Sequence, residues 1–211
     1  VFTALGMSDE HAQQSADVLL FADLHGYDTH GVSNMLRVYV ESIREGRINV
    51  NPNWSITRER RAACTIDSDS AHGGVIGPHA MRMAIERARD CGIGVVNVYN
   101  GGHYGAAGYT AAMALEHDMI GVSMTVGGLR MTPTHGAEQM VGLNPIAIAV
   151  PSRNEPPFIF DASMSAVAGN KIRLANRLGR GTLPGWISDR DGAPIMQEAP
   201  IPEGFMHLPL G

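Results

Sequence analysis

The sequence predicts an α/β fold, because segments with apolar residues at helical spacing alternate with short β-branched runs and turn residues separate them. Glycine reinforces the reading: 25 of the 211 residues are Gly, enough for many tight turns and close backbone approaches. In order, Ser8 followed by Asp9 and Glu10 has the form of a helix start, and Ala12, Ala16, Leu19, Leu20 and Leu24 continue it. The His25–Gly31 stretch is a polar loop. Met35, Leu36, Val38, Tyr39, Val40 and Ile43 then mark a second helix ending at Gly46. Asn49 to Asp69 reads as an extended connector with a short strand around Cys64–Ile66. Pro78 to Asp90 is a helix with Pro near its start and Gly92 just past its end. Gly94–Tyr99 reads as a buried strand, Ala106–His117 as a helix, and Ile120–Thr125, Ile146–Val150 and Phe158–Phe160 as further strands. Arg153 to Pro157 is a turn and Ala166 to Leu178 a helix, while the tail after Trp186, rich in Pro, Gly and acids, shows no terminal element.

Hydrophobic residues make up 44% and charged residues 18%, a globular composition far from the signature of disorder. The net charge of −5 gives no electrostatic reason to expect a nucleic acid or an anionic membrane as partner. Cys64 and Cys91 lack CxxC spacing and are too few for a disulfide framework or a structural zinc site, so a reduced, cytoplasmic compartment is expected. The most apolar run, Pro145 to Pro151, is strand-sized and too short to cross a bilayer, and Val1 does not open a signal-peptide pattern. Lys171 stands alone beside fifteen arginines, a compositional habit.

The common nucleotide and hydrolase signatures are absent: no G-x-G-x-x-G, no P-loop, no H-E-x-x-H, no G-x-S-x-G. What remains is histidine in glycine-rich loops. His30, beside the Thr29 hydroxyl and before Gly31, has what a general acid or base near neutral pH requires. His103, in Asn100-Gly-Gly-His-Tyr-Gly105, follows a strand and precedes a helix, where ligands collect in α/β sheets. His25 reads as structural, as do His72 and His79. Asp161-Ala-Ser-Met-Ser165 follows a strand and opens a helix, so its acid and hydroxyls serve either a ligand or a cap. Leu143-Asn-Pro145 forms a turn, and Arg37 is a candidate for bidentate pairing with a carboxylate.

Taken together, the segments Ala22–Val32, Asn100–Tyr109, Gly142–Pro151, Asp161–Ser165, Gly169–Ile172, Pro184–Trp186 and Leu208–Gly211 resemble one family, the type 2 malate/L-lactate dehydrogenases. The resemblance implies a non-Rossmann fold of mixed sheets with flanking helices, which accounts for the missing G-x-G-x-x-G. It implies NAD or NADP as cofactor, a small 2-hydroxy acid and its 2-oxo acid as substrate pair, and a homodimer. Family members act on malate, lactate, sulfolactate, ureidoglycolate, diketogulonate and, in one branch, cyclic imino acids. His30 matches the histidine that hands a proton to the carbonyl oxygen, Thr29 orients it, and His103 matches a second active-site histidine with the acid/base role in some relatives. Val126, Gly127, Asn144, Pro145, Asp161, Ala162, Ser163, Met164 and Ser165 line the cofactor by the same resemblance. Residues 1–70 form a helical substrate and dimerisation part, and 71–211 an α/β cofactor part that the family continues into a Lys-Gly-Tyr-Gly-type segment.

Three positions depart from the family pattern. Thr29 replaces Ser, Asn34 stands where an Arg is usual, which leaves Arg37 as the nearest cation, and Leu143 replaces a Thr. The competing readings are a cyclic imino acid reductase of the same family, a metal-dependent hydrolase or lyase built on His25, His30, His72 and His103, and a non-catalytic binding domain.

Overall fold

A computed structural model describes residues 1–210; Gly211, the end of the Leu208-Pro-Leu-Gly motif, lies outside the described residues. The chain divides into two compact units, residues 1–123 with 148–159 and residues 124–147 with 160–211. The chain passes between the units three times, each time within or at the end of a strand of the sheet β4 (Gly121–Met124), β7 (Ile146–Val150) and β8 (Phe158–Ala162), ordered β4-β7-β8.

The first unit begins with α1 (Asp9–Leu24), whose first turn is capped by Ser8: its hydroxyl accepts from His11 N–H at 3.2 Å. α2 (Val32–Arg44) packs against it, and Phe2, Met7, Leu19, Met35, Tyr39 and Ile48 form the core between them. Each such side chain contributes roughly 1.5–3 kcal/mol by leaving water. β1 (Ser55–Glu59) pairs antiparallel with β2 (Ala63–Asp67), and β2 pairs parallel with β3 (Val95–Tyr99), so the sheet is mixed. The sequence marks β1 only as extended connector, because its side chains are all exposed, which removes the alternation that marks a strand.

α3 (Gly73–Cys91) joins β2 to β3 as a βαβ crossover. It starts five residues before Pro78, because the poor helix formers Gly73 and Gly74 are kept helical by tertiary contact rather than by propensity. Tyr99, at the end of β3, is exposed, as are Val95 and Val98, so the strand expected to be buried is largely open. The helix expected over 106–117 is α4 (Ala107–Ala112) followed by a 3₁₀ turn through His117, ended by Asp118 in the left-handed region.

In the second unit, β5 (Leu129–Met131), β6 (Val141–Gly142), β9 (Ile187–Ser188) and β10 (Met206–His207) form a sheet ordered β6-β5-β10-β9, also mixed. The tail thus does carry strands, each two residues long and below what sequence pattern resolves. α5 (Gly169–Arg177) buries Ile172 in a core with Val167 and Ile187. Among the described residues no helix is long and apolar enough to cross a membrane.

Candidate active site

The His30 loop hangs between α1 and α2 and is pinned by its own backbone: Tyr27 N–H donates to Ala22 O and His30 N–H to Tyr27 O. Asp23 secures the far end. Its carboxylate accepts from Val32 N–H at 3.0 Å, placing a negative charge at the N-terminus of α2, where the helix dipole favours it. Gly31 makes this possible, because a Cβ there would overlap the Asp23 carboxylate. Within the loop, the Thr29 hydroxyl and His30 Nδ1 lie 2.8 Å apart, and Asn34 Nδ2 donates to Thr29 O at 2.8 Å. Asn34, where the family's Arg is expected, therefore braces the loop.

His103 comes from the other side of the same unit. Asn100 closes β3 in the left-handed region, donates from Nδ2 to Asp67 Oδ1 at 3.0 Å and accepts at its carbonyl from Ser68 Oγ at 2.7 Å. The Asn100 amide, first among several hydrogen bonds, holds the Asp67 carboxyl below the usual carboxylate range. The following loop lies on the first turn of α3, and Gly73 lets it: a Cβ there would overlap the backbone of Gly102 and His103. His103 thereby sits past the C-terminal end of a parallel strand, as expected.

The two histidines meet. Their rings are nearly parallel, 10° apart in plane, with centroids separated by 5.5 Å. Tyr39, from α2, lies behind the pair with its hydroxyl 2.8 Å from His103 Nδ1, and Gly105 N–H also reaches that nitrogen, at 3.3 Å. Burial pushes the Tyr39 phenol well above its ordinary value, so it stays protonated. The edge of Tyr39 also packs on His72, with centroids 4.4 Å apart. The sequence does not mark Tyr39 or Asp23 as site residues, and it marks Asn34 only as the position where an Arg is usual. Tyr39 carried a signal only as a tyrosine with a polar handle inside an apolar helix stripe.

The other histidines do not join the pair. His25 is exposed, stacked on Phe21 with Nδ1 bonded to Phe21 O. His72 is buried, with Nδ1 3.0 Å from Ser15 Oγ and Nε2 unpartnered, and burial lowers its pKa to about 4. Among the described residues no three His, Cys, Asp or Glu side chains stand together as a metal-ligand group, so the four histidines of the metal reading do not converge. Arg37 projects from α2 and pairs with Glu41 at 3.9 Å.

In the second unit, the segments expected around a cofactor form one hydrogen-bonded frame. Gly127 N–H donates to Asn144 Oδ1 at 3.1 Å, Thr125 N–H to Pro145 O, and Met164 N–H to Leu143 O at 2.8 Å. Asn144 has a φ of +35°, a turn conformation that non-glycine residues seldom take. Val126 beside this frame is exposed. Asp161 and Ala162 belong to β8 itself, and α5 starts only at Gly169, so the cluster does not cap that helix. The Ser163 and Ser165 hydroxyls lie 2.9 Å apart, and Ser165 Oγ donates to Val167 O.

The malate/L-lactate dehydrogenase family model matches residues 1–211, and the chain belongs to that family. A malate dehydrogenase of Pyrococcus horikoshii is 40% identical over 211 residues, covering all of this chain and 58% of that protein. The solved structure of a sulfolactate dehydrogenase from Methanocaldococcus jannaschii superposes with a TM-score of 0.87 at 35% identity, covering all of this chain and 60% of that one. A delta1-piperideine-2-carboxylate reductase from Pseudomonas syringae pvar. tomato gives a TM-score of 0.90 at 25% identity, over all of this chain and 63% of that one. The chain thus spans about three fifths of the length of these relatives.

Proposed function

We propose that the protein to which this chain belongs is an NAD- or NADP-dependent oxidoreductase that interconverts a small 2-hydroxy acid and its 2-oxo acid. The observation that carries the reading is the pair His30 and His103, ring against ring, each with Nδ1 held by a hydroxyl. Reduction of a 2-oxo acid needs a proton donor aimed at the carbonyl oxygen, and a neutral or charged imidazole held by its far nitrogen supplies one. The nicotinamide cofactor, when bound, supplies hydride to the carbonyl carbon. Val126, Gly127, Asn144, Pro145 and Asp161 to Ser165 are the residues to hold it; their hydrogen-bonded frame with exposed Val126 fits that role. Arg37 takes the substrate carboxylate, exchanging Glu41 for it. The exposed apolar side chains Val95, Tyr99, Val122 and Phe158 of the first unit support a homodimer, since surfaces of this kind are what a partner buries.

A second reading is favoured by the superposition on the piperideine-carboxylate reductase: a cyclic imino acid in place of the 2-oxo acid. The same histidine pair serves it, with the proton going to nitrogen. The deciding experiment follows NADH and NADPH oxidation by the full-length protein against a panel of 2-oxo acids and one cyclic imine. Turnover with a 2-oxo acid is expected, and His30→Ala abolishes it while leaving cofactor binding intact. Near-wild-type turnover in that variant removes His30 from the mechanism. Light scattering on the purified protein tests the dimer.

A further inference from the structure

We propose that Tyr39 is a positioning residue that locks His103 as its Nε2–H tautomer, so that His103 donates a hydrogen bond to the substrate while His30 alone carries the proton; this rests on the function proposed above. Two donors converge on His103 Nδ1: the Tyr39 hydroxyl at 2.8 Å and Gly105 N–H at 3.3 Å. A nitrogen that accepts cannot also bear a hydrogen, so the ring proton sits on Nε2. The arrangement is not readily reversed. Tyr39 is 1% exposed, and among the described residues its hydroxyl meets, besides His103, only the Gly105 N–H, which can donate but not accept. Among the described residues, His103 Nδ1 is therefore the single acceptor for the Tyr39 proton. Moving the ring hydrogen to Nδ1 strands that O–H in the core without a partner.

His30 faces the opposite chemistry. Its Nδ1 partner is the Thr29 hydroxyl, which donates or accepts equally well and lies in a half-buried loop. When His30 is neutral with its hydrogen on Nε2, the Thr29 hydroxyl donates to Nδ1; when His30 is charged, the hydroxyl turns and accepts from Nδ1–H. In reduction, the charged His30 loses its Nε2 proton, the bond's electron pair stays on nitrogen, and the ring is left neutral with its hydrogen on Nδ1, donated to the Thr29 hydroxyl. The freed proton joins the carbonyl oxygen, whose carbon would take the hydride that a bound nicotinamide supplies. In oxidation the neutral His30, its ring hydrogen on Nδ1 and donated to the Thr29 hydroxyl, takes the substrate hydroxyl proton on its free Nε2. His103, with Nε2 already occupied, has no lone pair to do so.

The test is ¹⁵N NMR of the histidine-labelled full-length protein, with His103 assigned by loss of its signals in His103→Gln. The expected spectrum has a proton on His103 Nε2 and an unprotonated, hydrogen-bonded Nδ1. Tyr39→Phe keeps the ring and its edge contact with His72; in it the Nδ1 resonance shifts and kcat falls about tenfold, while KM for the cofactor holds. A wild-type His103 carrying its proton on Nδ1 overturns the proposal without any activity measurement. So does a Tyr39→Phe protein in which neither the Nδ1 resonance nor kcat changes. Absence of turnover by the wild type on every substrate tried counts against the oxidoreductase reading, while the spectrum still decides the tautomer.

Discussion

Arg37 stands with its side chain 77% exposed, and its Glu41 partner is 54% exposed, so the pair contributes only a few tenths of a kcal/mol. An attachment that weak is readily given up for a substrate carboxylate. Arg37→Ala is expected to raise KM for the 2-oxo acid by about tenfold or more, with a smaller change in kcat and an unchanged melting temperature. Steady-state kinetics beside a thermal melt checks both halves. Gly31 is the opposite case, a residue whose absent side chain matters. Gly31→Ala pushes the Asp23 carboxylate off Val32 N–H and costs about 1–2 kcal/mol, a loss visible in denaturant titration. Thr29, His30 and His103 could be read from sequence because each sits in a short polar, glycine-bearing run whose chemistry is local. Tyr39 could not: its partner His103 is 64 residues away, and nothing in a helix stripe says which apolar position also reaches a ring nitrogen. Asp23 was hidden for a related reason, since a cap supplied from the preceding helix has no sequence signature.

At the scale of elements, legibility followed local signals. α1 was readable to its first residue because Ser8, Asp9 and Glu10 announce it, and Ser8→Ala is expected to cost about 1 kcal/mol in an equilibrium unfolding curve. The start of α3 was not readable, because Gly73 and Gly74 argue against helix while the His103 loop lying on that turn requires them. Gly73→Ala is accordingly expected to act at a distance. It displaces the His103 loop and lowers turnover more than it lowers helix content, which circular dichroism beside kinetics separates. β1 and β3 escaped full description because solvent reaches side chains on both faces, and burial is what writes alternation into a strand. The Asp161–Ser165 cluster shows the limit of motif logic: two serines bond to each other and to Val167, not to the helix they precede.

Across the whole molecule, the buried His72 links stability to acidity. Its pKa falls from 6.5 to about 4 on folding, because burial disfavours the charged ring. The unfolded chain thus takes up a proton that the folded chain refuses, and stability drops as pH falls through 6.5 toward 4, then levels off below that. The expected loss is about 3 kcal/mol over that window. Burial shifts His207 and His79 in the same direction. Urea titrations at pH 7 and pH 4.5 measure the fall, and His72→Gln is expected to remove most of it.

The three passages of the chain between its compact units also set an order of events during synthesis. The first 123 residues emerge from the ribosome well before residues 148–159, which their unit needs to be whole. Until β8 has been made, the nascent chain exposes the edge that β7 and β8 will occupy, a surface for chaperones or for mispairing. By the same connectivity, neither unit can be excised with a single cut. A protease nick in the exposed Arg153–Pro157 turn falls within the first unit and leaves all three passages between the units uncut, so the nicked protein is expected to migrate intact on a native gel and separate only in denaturant.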